Sequence, residues 1–421
     1  MRPTLLICPC GIRRLAALNS RQDGPMMRVV VALLCLLASA WSMAAPDWVS
    51  SWTAAPDSAG PAMQPQTIRQ VVRTSAGGSQ LRIRLSNAYG LTAVTIGPVR
   101  VARRVGDAAI DPASDRVVRF DGQPAVTIAP GQSVVSDAVA LPVATLQELA
   151  ISLYLPEGAS RASIHGEGLQ TVYLAPGADT TAAPVLLAAQ TDDSRYFLAG
   201  VEVLSASDAR AVVVLGDSIA DGVGATANAY ARWPDVLAAR LAPASMAVVN
   251  AGIAGNRLIR DAVPPFVGSS MLGRLLRDAL DQAGVRWIVL HAGSNDINAG
   301  DMLATPDQQA SAQDIVDGMQ TLIRRAHQRG VKVCGATLLP YGGVGAPFVY
   351  TAAGEAKRQA VNAWIRSTSL LDAMVDFDAQ LRDPSQPERL LPSYGSGDHL
   401  HPNDRGYQVM AALMPALLLS H

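Results

Sequence analysis

Two patterns of hydrophobic and polar positions divide this chain. From Trp48 to about Ser205, short segments alternate apolar and polar residues between Gly, Pro, Asp and Ser, as in Leu81-Arg-Ile-Arg-Leu85. A period of two places one face of a strand against a core and the other in solvent. Regularly spaced strands with few helical stretches are typical of a β-sandwich or jelly-roll-like domain. We therefore predict an all-β domain over residues 45–207.

Beyond residue 208 the apolar residues form continuous runs that alternate with helical stretches. The runs are Val212–Leu215, Ala247–Val249, Trp287–Leu290, Val331–Leu339 and Met374–Phe377. Such runs suit buried parallel strands, whereas the apolar stripe between Asp307 and Gly330 has the period of a helix. The alternation predicts an α/β domain over residues 208–421, with a parallel sheet covered by helices on both faces.

The first 44 residues have the organisation of an export signal. Met27-Arg28 precedes an apolar run from Val29 to Trp41, and Ser42-Met-Ala44 follows as a small-x-small cleavage pattern. This predicts a signal peptide over 1–44, with 1–25 interpreted as an extension of the gene model, and a secreted or periplasmic product. The run is too short for a spanning helix, so we expect no stable membrane insertion.

Cleavage would change both the charge and the cysteine content. Residues 1–44 hold five of the 34 basic and one of the 35 acidic side chains, which leaves 29 against 34 and a net charge of −5. Such a surface argues against nucleic acid as a partner. Of the four cysteines only Cys334 would remain, and its apolar surroundings predict a buried thiol rather than a reactive one.

Candidate chemistry lies in the segments that follow the predicted strands. These segments are Gly216-Asp-Ser218, Asn250–Asn256, His291–Asp296 and, before the last helix, Asp398–Pro402. The carboxyl ends of parallel strands open on one edge of a sheet, so residues distant in sequence can converge there.

Acyl transfer needs residues of these types. A serine hydroxyl such as that of Ser218 needs a base, and the base needs an orienting partner. In Asp398-x-x-His401 the spacing lets the carboxylate hold one imidazole nitrogen while the other faces the serine. The oxyanion needs donors, and the Gly255 N–H, the Asn295 amide and the N–H of the serine itself could supply them.

In order and context, these four segments resemble the conserved blocks of the SGNH (GDSL) hydrolase family. The resemblance implies a three-layer α/β/α, flavodoxin-like esterase domain without a cofactor. It implies Ser218 as nucleophile, His401 as base, Asp398 as its orienting partner, and Gly255 with Asn295 in the oxyanion hole. Ile219 stands where the family usually has leucine. The N-terminal region, including Trp48–Pro56, is similar to the β-domain that precedes this module in a secreted bacterial and fungal subgroup that includes carbohydrate esterases.

The function predicted is a secreted serine esterase acting on short acyl esters, with acetyl groups on plant polysaccharide as the leading substrate. An arylesterase or lysophospholipase-type acylhydrolase is the close alternative, and a carbohydrate-binding or surface-interaction protein is the alternative of another class. His399 and His401 form a His-x-His pair, but no metal site is expected because no other ligands cluster with them. Asp217 and Asp296 are interpreted as acceptors that brace loops, although paired acids also suit glycoside hydrolysis. The oligomeric state is left open.

Overall fold

The computed structural model describes residues 48–187, 190–205, 209–264, 267–303, 305–345 and 349–419. The predicted signal peptide lies outside these residues. The predicted boundary between residues 207 and 208 also falls outside them, and residues 46–421 form one compact unit. The two-domain division therefore stays a prediction, and the N- and C-terminal parts of this unit are described below by their sheets.

Antiparallel sheets make up the N-terminal part. Its strands are β1 (Trp48–Thr53), β2 (Ser58–Ala59), β3 (Gln66–Arg73), β4 (Leu81–Ser86), β5 (Val94–Ile96), β6 (Val99–Gly106), β7 (Ala109–Ile110), β8 (Arg116–Val118), β9 (Val126–Ile128), β10 (Ser133–Val135), β11 (Glu148–Leu155), β12 (Ser163–His165), β13 (Val172–Pro176), β14 (Gln190–Asp192), β15 (Arg195–Tyr196) and β16 (Leu198–Leu204). The two larger sheets run β1-β16-β4-β10 and β14-β13-β3-β11-β6-β7, with β8 also paired to β6. The predicted β-rich region is confirmed.

Strand β4 shows how the alternating pattern is used. Leu81, Ile83 and Leu85 are fully buried in the core between the sheets. Arg82 and Arg84 point to the other face, as the period of two predicts. They are not simply solvated there, because both guanidinium groups pair with the buried carboxylate of Glu202 on the neighbouring strand β16.

The C-terminal part is built on one parallel sheet. Its strands are β17 (Arg210–Gly216), β18 (Met246–Gly252), β19 (Val285–His291), β20 (Lys332–Ala336) and β21 (Ala373–Val375), with a small hairpin of β22 (Arg382–Asp383) and β23 (Gln386–Leu390). The helices are α1 (Ser218–Asp221), α2 (Trp233–Leu241), α3 (Met271–Leu275), continued by a π-helical turn at Leu276–Leu280, α4 (Ser294–Leu303), α5 (Ala312–Gln328), α6 (Ala352–Ser367), α7 (Phe377–Leu381) and α8 (Asp404–Leu413). The sheet order is β18-β17-β19-β20-β21, and each of its pairings is parallel.

Strand β17 contributes side chains to both hydrophobic cores of a three-layer arrangement. Val212 and Val214 lie in one core with residues of α2 and α8, and Val213 and Leu215 lie in the other with residues of α5 and α6. The order 2-1-3-4-5 is flavodoxin-like and leaves a crevice at the carboxyl ends of the first and third strands, here β17 and β19. The predicted α/β/α architecture is confirmed, and the crevice is where Ser218 lies.

Strand β1 and the segment after β3 contact the edge strand β18. Thr53 Oγ1 donates a hydrogen bond to Asn250 O (2.8 Å), and Val248 N donates to Ser75 Oγ (3.1 Å). The N-terminal sheets therefore cover one edge of the parallel sheet close to the loop that follows β18. In the part of the chain described, no helix is both long enough and apolar enough to cross a membrane.

Candidate active site

Ser218 stands at the first position of α1, directly beyond the end of β17. Asp217 is the N-cap residue of this helix, and its Oδ1 accepts a hydrogen bond from Ile219 N (3.1 Å). A side chain at position 216 would not fit, because an added Cβ would lie 2.6 Å from Ala220 Cβ and 2.8 Å from His291 O. Glycine therefore permits the tight strand-to-helix turn that leaves the serine half-buried and accessible.

The structure brings His401 and Asp398 to this serine. His401 Nε2 lies 2.9 Å from Ser218 Oγ, and His401 Nδ1 lies 2.6 Å from Asp398 Oδ2. An ionised carboxylate only accepts hydrogen bonds, so Nδ1 carries the proton and Nε2 is free to accept from the serine hydroxyl. Ser218 and His401 are 183 residues apart in the chain. The three side chains form one continuous series of hydrogen bonds.

Asp398 is held as a carboxylate by its own loop. Its Oδ1 accepts hydrogen bonds from the backbone N–H groups of Leu400 and His401, each at 2.8 Å, and from Ser396 Oγ at 3.0 Å. Partial burial acts to raise the pKa of Asp398, but the hydrogen bonds from the backbone and side chain of His401 outweigh it and lower the pKa to about 2. The carboxylate is thus ionised at any pH at which the protein would work.

The loop after β18 places Gly255 opposite the serine helix. Gly255 has φ of 74°, which L side chains rarely adopt. Its neighbours are fixed on both sides: Ala254 N donates to Asp221 Oδ2 (2.8 Å), and Asn256 Nδ2 donates to Val267 O (2.8 Å). Asn256 is buried and braces this loop.

Asn295 lies at the start of α4, after β19. Its Nδ2 donates to Asn256 O at 2.9 Å, and the side chain is half-buried. One amide proton therefore ties α4 to the Gly255 loop, and the second remains for another acceptor. Asn256, the residue after Gly255, thus links the Gly255 loop to Asn295 by a hydrogen bond.

Two buried carboxylates support these loops. Asp296 accepts from Leu258 N (2.7 Å) and Ile259 N (3.1 Å), and Asp217 accepts from Ile219 N. Burial raises the pKa of each to about 6, against the opposing effect of these hydrogen bonds. These three hydrogen bonds are of the loop-bracing kind that the sequence suggested for both carboxylates. Among the residues described, no cluster of His, Cys, Asp and Glu could hold a metal ion.

Sequence reasoning missed Arg274, a fully buried cation beneath the site. Its guanidinium donates to Gly216 O (3.1 Å), Ala251 O (2.7 Å) and Asn256 Oδ1 (3.0 Å). It joins the ends of β17 and β18 to the Gly255 loop. The available signal was a single arginine inside the apolar stretch Met271–Leu276, since a buried cation needs several partners to offset its desolvation.

The comparisons with known proteins fit this geometry. Residues 214–409 match the model of the GDSL-like Lipase/Acylhydrolase family. They form a GDSL-like acylhydrolase domain. The enzyme class of this domain is carboxylic ester hydrolase. Ser218, Gly255, Asn295 and His401 all lie within the matched residues of the GDSL-like domain, as does Asp398.

Solved structures similar to the chain each cover about half of it. A GDSL-like lipase from Bacteroides thetaiotaomicron is 20% identical, covers 48% of this chain and 85% of its own, with a TM-score of 0.37. An aryl esterase from M. smegmatis is 18% identical and covers 49% and 100%, with a TM-score of 0.38. A carbohydrate acetylesterase from Sinorhizobium meliloti is 17% identical and covers 48% and 97%, with a TM-score of 0.36. The comparison with curated proteins finds no match.

Proposed function

We propose that the GDSL-like domain is a serine esterase that works through an acyl-enzyme, with Ser218 as nucleophile, His401 as general base and Asp398 as the residue that orients the base. The observation that carries the proposal is the pair of contacts at His401: 2.9 Å from Nε2 to Ser218 Oγ and 2.6 Å from Nδ1 to Asp398 Oδ2. Both distances are within hydrogen-bond reach, as nucleophilic catalysis requires.

In the first half of the reaction, Ser218 Oγ attacks the ester carbonyl carbon while its proton passes to His401 Nε2. The imidazolium that forms is stabilised by the ionised Asp398. The carbonyl oxygen becomes an oxyanion, and the tetrahedral intermediate collapses when the C–O bond to the alcohol breaks. His401 then returns the proton to the leaving alkoxide, and the acyl group remains on the serine.

In the second half, a water molecule takes the place of the alcohol. His401 accepts one proton from the water as its oxygen attacks the acyl carbon, and the acid leaves when Ser218 Oγ regains that proton. The donors proposed for both oxyanions are the N–H groups of Ser218 and Gly255 and the second amide proton of Asn295. Ser218 heads a helix, so its N–H has no intrahelical acceptor, and each such donor is typically worth about 3–4 kcal/mol of barrier.

For the substrate we propose a short acyl ester, with acetyl groups on plant polysaccharide as the leading candidate. Support comes from the resemblance of the N-terminal region to the β-domain of secreted carbohydrate esterases. We also propose export, on the sequence pattern of residues 1–44, which lie outside the described residues.

The mechanism is tested by replacing the nucleophile. Ser218→Ala should lower the kcat for p-nitrophenyl acetate by at least about 10⁴-fold. Ser367→Ala is the matched control, because the Ser367 hydroxyl only donates to the carbonyls of Ala363 and Trp364 in its own helix. A fluorophosphonate should label residue 218 of the wild type and leave the Ser218→Ala protein unmodified. Full activity of Ser218→Ala, with contaminating esterases excluded, would reject the mechanism.

The substrate is tested with a panel of esters. Turnover of acetyl-xylan, together with a fall in kcat/KM from p-nitrophenyl acetate to longer acyl chains, is the expected result. A preference for aryl or long-chain esters over acetyl-xylan would instead favour an arylesterase or a lysophospholipase-type acylhydrolase. Xylan binding by a whole protein that hydrolyses none of these esters would favour the carbohydrate-binding alternative.

A further inference from the structure

A buried ion pair connects the N-terminal sheets to the helix that carries Ser218. His165 is the last residue of β12, and Asp221 is the last residue of α1. His165 Nε2 lies 3.1 Å from Asp221 Oδ1, and the two side chains are 5% and 1% exposed. The contact joins a residue far upstream of the GDSL-like domain to one three positions after the nucleophile.

The surroundings of His165 favour a protonated ring. Its Nδ1 lies 2.9 Å from Ala55 O, and a carbonyl oxygen only accepts, so Nδ1 carries a proton. Its Nε2 faces the Asp221 carboxylate, which also only accepts when ionised. Asp57 Oδ2 lies 3.4 Å from Nδ1 and adds a second negative charge. Each nitrogen therefore faces an acceptor, and a protonated ring places its positive charge between the two carboxylates.

The balance of charges around the ring agrees with this assignment. Burial acts to lower the pKa of His165, and the nearby cation of Arg232 does the same. The carboxylates of Asp221 and Asp57 outweigh both and raise the pKa to about 9. Glu167, in the loop after β12, is a further acid close enough to interact with the ring.

The second oxygen of Asp221 reaches the loop that holds Gly255. Asp221 Oδ2 accepts a hydrogen bond from Ala254 N at 2.8 Å. One carboxylate thus fixes the distance between the serine helix and the residue that precedes Gly255. Its orientation is set from the opposite side by His165, because a carboxylate held through one oxygen presents the other in a defined direction.

We propose that His165 and Asp221 are positioning residues, which set the Gly255 loop relative to Ser218 so that the N-terminal sheets supply part of the support of the oxyanion site. The inference rests on the proposed serine esterase function. Neither residue touches the substrate. Removing His165 leaves Asp221 buried without its cation, and removing the Asp221 carboxylate deprives Ala254 N–H of its acceptor.

The test uses the full-length protein and variants at both positions. His165→Leu removes both ring contacts, and His165→Gln keeps a donor toward Asp221 without a charge. Asp221→Asn removes the charge from the other side but keeps an acceptor for Ala254 N–H, and Asp221→Ala removes both. The matched control is His327→Gln, since His327 Nε2 pairs with Asp372 Oδ2 at 2.8 Å on the exposed surface of α5.

The readouts separate positioning from folding. For each variant we measure kcat and KM for p-nitrophenyl acetate and the inhibition constant of phenylboronic acid, which mimics the tetrahedral intermediate on the serine. Active sites are counted with a fluorophosphonate, so that kcat refers to competent enzyme only. His165→Leu should lower kcat about 10- to 100-fold, the effect of a misplacement near 1 Å, and leave KM within about 3-fold. Boronate affinity should fall in parallel.

Two further results are expected if the residues act together. His165→Gln should retain more of the wild-type kcat than His165→Leu, and His327→Gln should match the wild type. In the Asp221→Ala background, adding His165→Leu should change kcat little, because Asp221→Ala removes the acceptor of Ala254 N–H and so breaks the path from His165 to Ala254.

The inference is overturned if correctly folded His165→Leu keeps the wild-type kcat per active site and the wild-type boronate affinity. Should this variant fail to fold, the same result for Asp221→Ala overturns it, as does full additivity in the double variant. Loss of the proposed function is a separate outcome. It appears as an active Ser218→Ala protein, whereas the inference alone fails when Ser218→Ala is inactive and the His165 variants are unaffected.

Discussion

Replacing Arg274 by methionine should destabilise the fold and slow the reaction through the same set of lost contacts. The guanidinium is fully buried and donates to Gly216 O, Ala251 O and Asn256 Oδ1 at 2.7–3.1 Å. Methionine fills most of the volume but donates nothing. The change therefore removes hydrogen bonds from the ends of two strands and from the Gly255 loop at once.

The magnitude follows from what is left behind. Each unsatisfied buried acceptor costs about 1–3 kcal/mol, and breaking a buried ion pair costs about 3–5 kcal/mol. Arg274 pairs with Asp278 at 3.2 Å, but Arg277 also contacts that carboxylate at 2.7 Å, so the charge keeps a partner. We expect the free energy of unfolding to fall by about 3–5 kcal/mol. We also expect kcat to fall about 10- to 100-fold, because the Gly255 loop shifts.

The assay combines urea unfolding with kcat for p-nitrophenyl acetate, both at neutral pH. Arg358→Met is the matched control: Arg358 is equally buried and donates to Leu338 O and Asp378 Oδ1 at 2.8–2.9 Å, in the segments that follow β20 and β21, at the other edge of the sheet from β18. It should lose a similar amount of stability with kcat per active site unchanged. An Arg274→Met protein as stable as the wild type would refute the reasoning, and so would an equal loss of kcat in Arg358→Met.

Three other perturbations test neighbouring parts of the site. Asp398→Asn should lower kcat about 10³- to 10⁴-fold, since an amide does not hold His401 in the required tautomer; esterase kinetics within 10-fold of the wild type would contradict this. Gly252→Ala should reduce kcat, because the added Cβ would lie 2.3 Å from Asp221 N and displace α1, whereas Gly345→Ala, which meets nothing within 4 Å, should not. The pKa of His165, raised to about 9 from an ordinary 6.5, predicts a stability contribution of about 3 kcal/mol that is complete below pH 6.5 and is lost as the pH rises through 9. Urea unfolding at pH 6.5 and 9.5 should show this loss in the wild type and not in His165→Gln, and equal losses in both would exclude His165 as its source.

Local sequence patterns predicted the parts of the structure that depend on local rules. The apolar run Val212–Leu215 forms the centre of β17, and the alternating segment at Leu81 forms β4. The convergence of Ser218, Gly255 and Asn295 also follows from a general rule, because the segments that follow β17, β18 and β19 share one edge of the parallel sheet. His401 instead lies beyond the β22–β23 hairpin, so its approach to Ser218 is implied by the resemblance to the hydrolase family and not by that rule.

The supporting residues could not be found in the same way. His165 and Asp221 are 56 positions apart and belong to a strand and a helix respectively, so no periodicity connects them. Arg274 reads as one more arginine in a helical stretch, and only the three-dimensional arrangement of carbonyl groups around it shows why it is buried. For Asn295 the sequence predicted the donor but not its second hydrogen-bond partner. It was expected as an oxyanion donor, and the structure shows that one of its two amide protons is already used by Asn256 O.

The two halves of the proposed site are held by different means. Beneath Ser218 and Gly255 the contacts are buried and charged, through Asp221 and Arg274. His401 instead sits on a loop whose acid, Asp398, has a side chain 45% exposed. Water competes for hydrogen bonds in that loop and not beneath the serine. The loop that carries His401 should therefore unfold locally before the buried contacts beneath Ser218 do. This division suits acyl transfer, because oxyanion donors must be rigid before charge develops, whereas the base must reorient its proton between serine, alcohol and water.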